Sequence, residues 1–464
     1  MSAESLISGL PKPSSTLIKN ARVVVTEGGP VKNLSLFIED RNIVAMGDHA
    51  SIRSEFGSGS GEEIDASGCL VVPGFVNNHS HIAMALLRGY AEDLPLLNWL
   101  REKVWPAEAK LEPRDVYLGA LCGAAESLLS GTTSITSVYF FDSSGSEAQA
   151  VEDIGMRGIL AHGIFDWTRE SGLRKTEEMV EKFHGRDQGR VRIATSPHAP
   201  YSCSPELLKE IENLRIRLNQ KYGRTYRIMN TLHVAEARNE ALEIESKYGV
   251  QGAKKGVASY LRSLGVLTDE TIAAHCIHLT EEDLVAFKST QATIASCPVS
   301  NLKVGMGVAD IPKMISNGIT VSLGTDGPAS NNSLDMFETS KMASLLPKGV
   351  QGDTTLMDAR QTFELATLGG AKSMHQSDVI GSIAVGKRAD LVMLDVSAPH
   401  AQPFYDPYSH VIFSAKPQDV RDVIVDGRVL VRNREFLHVD TESLAARIKD
   451  RVIELGFLND ARTT

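Results

Sequence analysis

Between Leu70 and Gly327, eight short apolar runs alternate with stretches of helical periodicity. The runs are CLVVPGFVNNHSH, GTTSITSVYF, RGILAHGIF, VRIATSPHA, YRIMNTLHVAE, TIAAHCIHL, ATIASCPVS and ITVSLGTDG. They are rich in Val, Ile and Thr, as strands are. Between them, Tyr117, Leu121, Ala124 and Leu128 make one stripe within 112–129, with Gly131 just beyond. Ser204-Pro205 reads as an N-cap and a first-turn proline, followed by Leu207, Ile211, Leu214 and Leu218 on one helix face. Eight β–α units in roughly 250 residues match a closed (β/α)8 barrel of the TIM type. A doubly wound open sheet is the alternative, although no Gly-x-Gly-x-x-Gly follows the first strand.

Outside this region the character is different. TLIKNARVVV, NLSLFIEDRNIVAMG and IDASGCLVVPG read as short strands before the barrel, with GSGSGEE at 57–63 as a loop. GSIAVGKRADLVMLDV and DVRDVIVDGRVLVRN restore that pattern after it, and a final amphipathic helix spans roughly 441–456. The α/β fold expected is therefore a barrel over 73–378 with a small β-sandwich domain built from both chain ends, 1–72 and 379–464. A chain of 464 residues has room for both. No internal repeat or low-complexity segment interrupts it.

Composition excludes several classes of partner. A net charge of −10 and a pI near 5.8 argue against nucleic acid or anionic lipid and leave a small-molecule substrate. Five scattered cysteines, without a Cys-x-x-Cys, fit a reducing compartment. The N-terminus lacks a basic region followed by an apolar core, and no apolar run reaches 18 residues. A cytoplasmic protein without a membrane span is expected.

In a (β/α)8 enzyme the working groups stand at the C-terminal ends of the strands. Here the first run ends in His79 and His81, and the fourth ends in His198. His233 and Glu236 end the fifth, His275 and His278 the sixth, and Asp326 the eighth. Residues i and i+2 of a strand point the same way, so His79 and His81 can share one ion. Six of the 13 histidines thus fall at strand ends, which points to a metal site rather than to scattered core histidines.

PGFVNNHSH, HVAE, AAHCIHL and GTDG together resemble the amidohydrolase superfamily, and GSIAVGKRADLVMLD resembles its small β domain. Within it, HSHIAMALLRGYAEDLPLLNWLREKVWPAEAKL, SPHAPYSCSPELL, SCPVSNLKVGMGVADI and LGTDGPASNNSLDMFE resemble the deaminases of 5′-methylthioadenosine and S-adenosylhomocysteine. The resemblance covers nearly the whole chain. It implies one divalent metal, Zn2+ with Fe2+ tolerated, held by His79, His81, His233 and Asp326. Relatives with two metals need a carboxylated lysine at the fourth strand, and IATSPHA has none.

The same resemblance implies Asp326 as the base for the attacking water and His275 as the group that orients it. It makes Glu236 the proton shuttle, which also contacts the substrate. Glu108 grips the ribose hydroxyls, on a loop after a helix capped near Asp93. His198 faces the substrate, and Ser330 belongs near the same pocket. Trp99 and Trp105 pack their helix and loop, and Arg88 is either structural or functional. Many members carry an arginine in strand 3 where this chain has His162, and Arg174 or Lys175 follows in the next loop.

The function implied is hydrolytic deamination of an adenine nucleoside such as 5′-methylthioadenosine, S-adenosylhomocysteine or 5′-deoxyadenosine, by a homo-oligomer. The alternative is an amidohydrolase acting on another amino- or chloro-heterocycle, such as an s-triazine, guanine or cytosine. A catalytically dead scaffold on the same fold is disfavoured, because no ligand is missing and Glu236 is present.

Overall fold

The run CLVVPGFVNNHSH, which reads as one strand, is two strands in two different sheets. Cys69–Pro73 lies in a mixed sheet and Phe75–Ser80 opens the barrel. The break falls at Gly74, where a Cβ would come within 2.1 Å of the Thr133 side chain. The computed structural model describes residues 6–56, 61–142 and 144–458.

The barrel strands are β1 (Phe75–Ser80), β2 (Thr132–Tyr139), β3 (Arg157–Ile164), β4 (Val191–Pro197), β5 (Asn230–Val234), β6 (Thr271–His275), β7 (Thr293–Ser296) and β8 (Val321–Leu323). Each pairs in parallel with the next in chain order. A doubly wound sheet would reverse its strand order, so that alternative fails. Side chains and the chain just past β8 tie that strand back to β1. Asp326 N–H donates to His79 O at 2.9 Å, and Asn77 Nδ2 donates to Thr325 Oγ1 at 2.7 Å. A Cβ on Gly324 would stand 2.9 Å from the His79 backbone, so this approach needs a glycine.

The helices between the strands follow their sequence signals. Ser204 Oγ accepts the Leu207 N–H at 3.3 Å and caps Pro205–Tyr222, whose Leu207, Ile211, Leu214 and Leu218 are buried. Helix Pro113–Leu129 starts in a capping box of Glu112 and Asp115, and Leu121, Ala124 and Leu128 are buried. Tyr117 stays half-buried and donates to Asp153 at 3.0 Å.

Both chain ends build a second sheet of nine strands with its own core, which includes Ile18, Leu36, Ile64, Leu391 and Ile424. Cys69–Pro73 sits at its centre, parallel to Thr16–Thr26 and antiparallel to Leu391–Asp395. Two sequence expectations need correction here. Helix His49–Phe56 was not foreseen, and strand Glu62–Asp65 takes the end of the expected 57–63 loop. Residues 57–60 of that loop lie outside the described residues. The C-terminal helix is Thr441–Glu454, and Arg451 docks it on Asp115 at 2.6 Å. No cysteine is disulfide-bonded, and no described helix is long and apolar enough to cross a membrane.

Candidate active site

Five polar groups converge where β1, β5, β6 and β8 end. His79, His81 and His233 can offer nitrogens that lie within 4.8 Å of one another, and His79, His275 and Asp326 can offer two nitrogens and a carboxylate oxygen equally close together. Asp326 Oδ1 stands 3.4 Å from His79 Nε2 and 3.2 Å from His81 Nε2. All five side chains are buried.

Backbone carbonyls fix two of the rings. His81 Nδ1 bonds to Val138 O at 2.7 Å and His233 Nδ1 to His198 O at 2.7 Å. A carbonyl only accepts, so each Nδ1 carries the proton and each Nε2 keeps a lone pair. Those two Nε2 atoms face each other at 3.4 Å. Two lone pairs at that distance repel unless a cation lies between them. His79 has no hydrogen bond on either ring nitrogen, although it is fully buried. A divalent metal fits this donor set of three imidazoles and one carboxylate.

Charges and burial agree with that fit at His79, His233 and Asp326. Burial lowers the His79 pKa to about 4 and drives His233 well below the ordinary range, so both rings are neutral. Burial also acts on His81, but Asp326 outweighs it and raises the pKa. The Asp326 carboxyl would be raised by burial, yet His79 and His81 hold it well below the usual range. Its second oxygen accepts the hydroxyls of Ser300 at 2.6 Å and Ser330 at 2.5 Å.

Glu236 and His275 stand beside this cluster. Burial raises the Glu236 pKa, and its Oε1 lies 3.8 Å from His275 Nε2. His275 Nδ1 bonds to Asn301 Oδ1 at 2.8 Å, and Glu236 N–H donates to Glu240 Oε2 at 2.9 Å. The backbone is strained in the same places. Ala235, His275, Cys276 and Asp326 all have positive φ, between 50° and 67°. Such strain in non-glycine residues gathers where surrounding structure imposes it, commonly at functional sites.

A cleft with about 510 Å³ of empty space opens over these groups. His198 lines it with its Nδ1 bonded to Ser202 Oγ at 2.7 Å, and burial lowers its pKa to about 3. Ser330 lines it too, while donating to Asp326. Trp99 and Trp105 are packed into the core as expected, but each also forms cleft wall. Arg88 is structural, since it pairs with Glu126 and with the Asn332 carbonyl.

The structure does not bring every expected residue to the cleft. Asp93 caps nothing: it has φ 57°, and the helical segment starts at Leu96. That segment passes through a wide π turn at Trp99–Val104 and ends in Trp105–Glu108, so Glu108 lies on its last turn and not on a loop. Glu108 is 1% exposed and off the cleft wall, and the Tyr139 hydroxyl lies beside its carboxyl. Burial pushes its pKa to about 8. His162 is buried in β3 away from the wall, and Arg174 and Lys175 pair with Glu178 on helix Arg169–Phe183. His278 joins neither ligand group.

Sequence reasoning missed Ser300, Asn301, Ser202 and Glu240, which hold the working side chains rather than act themselves. SCPVSN marks Ser300 and Asn301, because two polar residues in the first turn after Cys-Pro face back to a strand end. Ser202 and Glu240 carry only a spacing of four from His198 and Glu236.

Comparison with known proteins places the arrangement in context. Residues 70–430 match the Amidohydrolase family. A 5′-deoxyadenosine deaminase of Methanosarcina acetivorans is 38% identical over 95% of this chain and 98% of its own length. A 5-methylthioadenosine/S-adenosylhomocysteine deaminase of Pelotomaculum thermopropionicum is 38% identical over 95% of this chain and 99% of its own. Among solved structures, an adenosine deaminase from Xanthomonas campestris with bound zinc superposes with a TM-score of 0.88. It is 31% identical and covers 97% of this chain and 100% of its own.

Proposed function

The chain belongs to the amidohydrolase family, and from that premise we propose that it is a zinc-dependent hydrolytic deaminase of adenine nucleosides. The observation that carries this reading is the pair of facing Nε2 atoms of His81 and His233, with His79, Asp326, His275 and Glu236 around them. His79, His81, His233 and Asp326 would hold one ion, since β4 ends in Pro197-His198 without a lysine. A zinc ion held by these residues would supply a water of lowered pKa, able to attack near neutral pH.

The side chains then divide the proton traffic. Asp326 takes a proton from the attacking water, while Ser300 and Ser330 keep its carboxylate oriented through the other oxygen. Glu236, with its pKa raised by burial, delivers a proton to a ring nitrogen of the adenine and then assists departure of ammonia. His275 is oriented by Asn301 and aligns the water. His198 stays neutral, and with Nδ1 engaged by Ser202 it presents Nε2 to the base.

Glu108 remains the candidate for the ribose diol. Its buried carboxyl, held largely neutral, has the Tyr139 hydroxyl beside it and no other polar side chain bonded to it, and a 2′,3′-diol offers it hydrogen-bond partners. Contact requires the Leu96–Glu108 segment to shift, and the π turn within it is a helix irregularity of the kind found at functional sites. Glu108→Ala should lower kcat/KM on 5′-methylthioadenosine by about one to two orders of magnitude and leave its 2′,3′-dideoxy analogue nearly unchanged. Equal losses on both would make Glu108 structural.

The cleft wall favours an uncharged 5′ group. Met84, Leu96, Leu100 and Val304 join the two tryptophans, and no lysine or arginine lines the wall among the described residues. The deciding experiment is ammonia release by the zinc-loaded enzyme on a panel of 5′-substituted adenosines, guanine, cytosine and s-triazines. 5′-Deoxyadenosine and 5′-methylthioadenosine should lead, with S-adenosylhomocysteine behind. Turnover confined to the free heterocycles would assign the chain to the alternative branch.

A further inference from the structure

At the opposite end of the barrel six arginines crowd against the mixed sheet. Arg157 starts β3, Arg192 lies at the start of β4, and Arg190 immediately precedes β4. Arg41, Arg388 and Arg428 come from the chain ends. Five of them share three aspartates. Arg157 forks Asp390 through 2.7 Å and 3.1 Å contacts and reaches Asp426 at 3.0 Å. Arg41 and Arg428 each bridge Asp187 and Asp426. Arg190 binds Asp187 at 2.7 Å, and Arg388 lies 3.5 Å from Asp426.

Arg192 is left over. It is 6% exposed, and among the described residues no carboxylate comes within 4.0 Å of it. Its guanidinium lies over the Tyr226 ring at 4.7 Å, and Nε donates to Gly189 O at 3.1 Å. Burial, aided by the nearby Arg157 charge, lowers its pKa to about 10, and it stays protonated at neutral pH. A buried charge without a counter-ion is costly, so an anion reaching Arg192 from outside would relieve that cost.

The space for that counter-ion is present. A cleft with about 580 Å³ of empty space is walled by Arg157, Arg192, Arg388, Gln188 and Asn42, among others. Asp378 also lines it, and one carboxylate does not balance the surplus arginines. Gln188 is held at φ 58° in a turn whose preceding residue, Asp187, has φ 48°, and its Oε1 accepts from Arg388 Nη2 at 3.2 Å. The strained turn thus sets both the aspartate shared by the arginines and an amide on the cleft wall.

We propose that this cleft binds a phosphate-type oxyanion, free or as a phosphomonoester, with Arg192 and Arg388 as its charged ligands. Guanidinium forks match the geometry of phosphate oxygens. The site lies at the N-terminal end of the strands, away from the catalytic cleft, so its occupant clamps the mixed sheet to the barrel and does not enter the reaction.

The test is calorimetric titration of the zinc-loaded enzyme with inorganic phosphate and, separately, with ribose 5-phosphate, against chloride at equal ionic strength. One or both should bind and raise Tm, and the tighter of the two identifies the source. Arg192→Met should weaken binding by about ten- to a hundredfold while deamination persists. Arg388→Gln, at the more exposed wall, provides a milder second variant and should weaken binding several-fold. Binding of neither anion, or binding unchanged in both variants, overturns the proposal. Phosphate held at the catalytic metal would survive both substitutions and would count against it.

Discussion

At the catalytic end of the barrel His79 keeps both ring nitrogens without a hydrogen bond, and two Nε2 atoms face each other at 3.4 Å. At the other end Arg157, equally buried, satisfies its guanidinium with two aspartates. Both regions bury charge-bearing groups at the ends of barrel strands. One leaves the converging Nε2 atoms of its histidines without a hydrogen-bond donor, and the other pairs most of its charges with one another. The difference teaches where binding capacity is stored: unsatisfied buried polar atoms are destabilising until a ligand arrives, so they mark the ligand's place. Within the seam Arg192 is the exception in another sense: it is buried without a carboxylate beside it, and it shares a cleft wall with Arg157 and Arg388.

The most damaging way to break the contrast is at the mouth. His81→Ala should abolish metal retention and activity together, with elemental analysis falling from one equivalent per chain towards none. Two equivalents in the wild type would contradict a single-ion site. Next in size, Glu236→Gln should keep the metal and the fold but lower kcat by about 10²–10⁴-fold. A variant within a few-fold of the wild type would require another proton shuttle.

At the seam, Arg157→Met should leave metal content and kcat intact and cost about 3–5 kcal/mol in chemical denaturation, because Asp390 and Asp426 stay buried without it. An unchanged midpoint would mean that the neighbouring arginines rearrange to cover both. The smallest effect concerns pH. Burial would raise the Asp187 carboxyl, but Arg190, Arg41 and Arg428 hold it well below the ordinary range. A carboxyl depressed in the folded state stabilises above its unfolded pKa, near ~4, and loses that contribution as pH falls through the folded value. Wild-type Tm should therefore fall faster than that of Asp187→Asn below about pH 4, and the gap between them should narrow. Parallel pH profiles would show that the seam does not depend on this charge.

The alternation of runs and helices, and the histidines at run ends, were legible because both follow from local chemistry. Strand and helix periods differ, Ser204-Pro205 caps a helix by its own side chain, and His-x-His needs only one strand to bring two rings together. The split of CLVVPGFVNNHSH was not legible, since a continuous apolar run does not say which sheet each half joins. Glu108 was misplaced for a related reason. Its helical segment starts at Leu96 without a side-chain cap and widens into a π turn, neither of which leaves a local mark.

The sequence by itself therefore determined the eight-unit barrel, the identity of the groups at its mouth and the return of both chain ends to a β layer. Only the tertiary structure decided that Ser300 and Ser330 share one oxygen of Asp326, that Asn301 aims His275, and that Arg192, among six arginines, has no carboxylate beside it. Local periodicity sets which face of an element is buried, whereas pairing between residues as distant as Arg41 and Asp426 depends on how the elements pack.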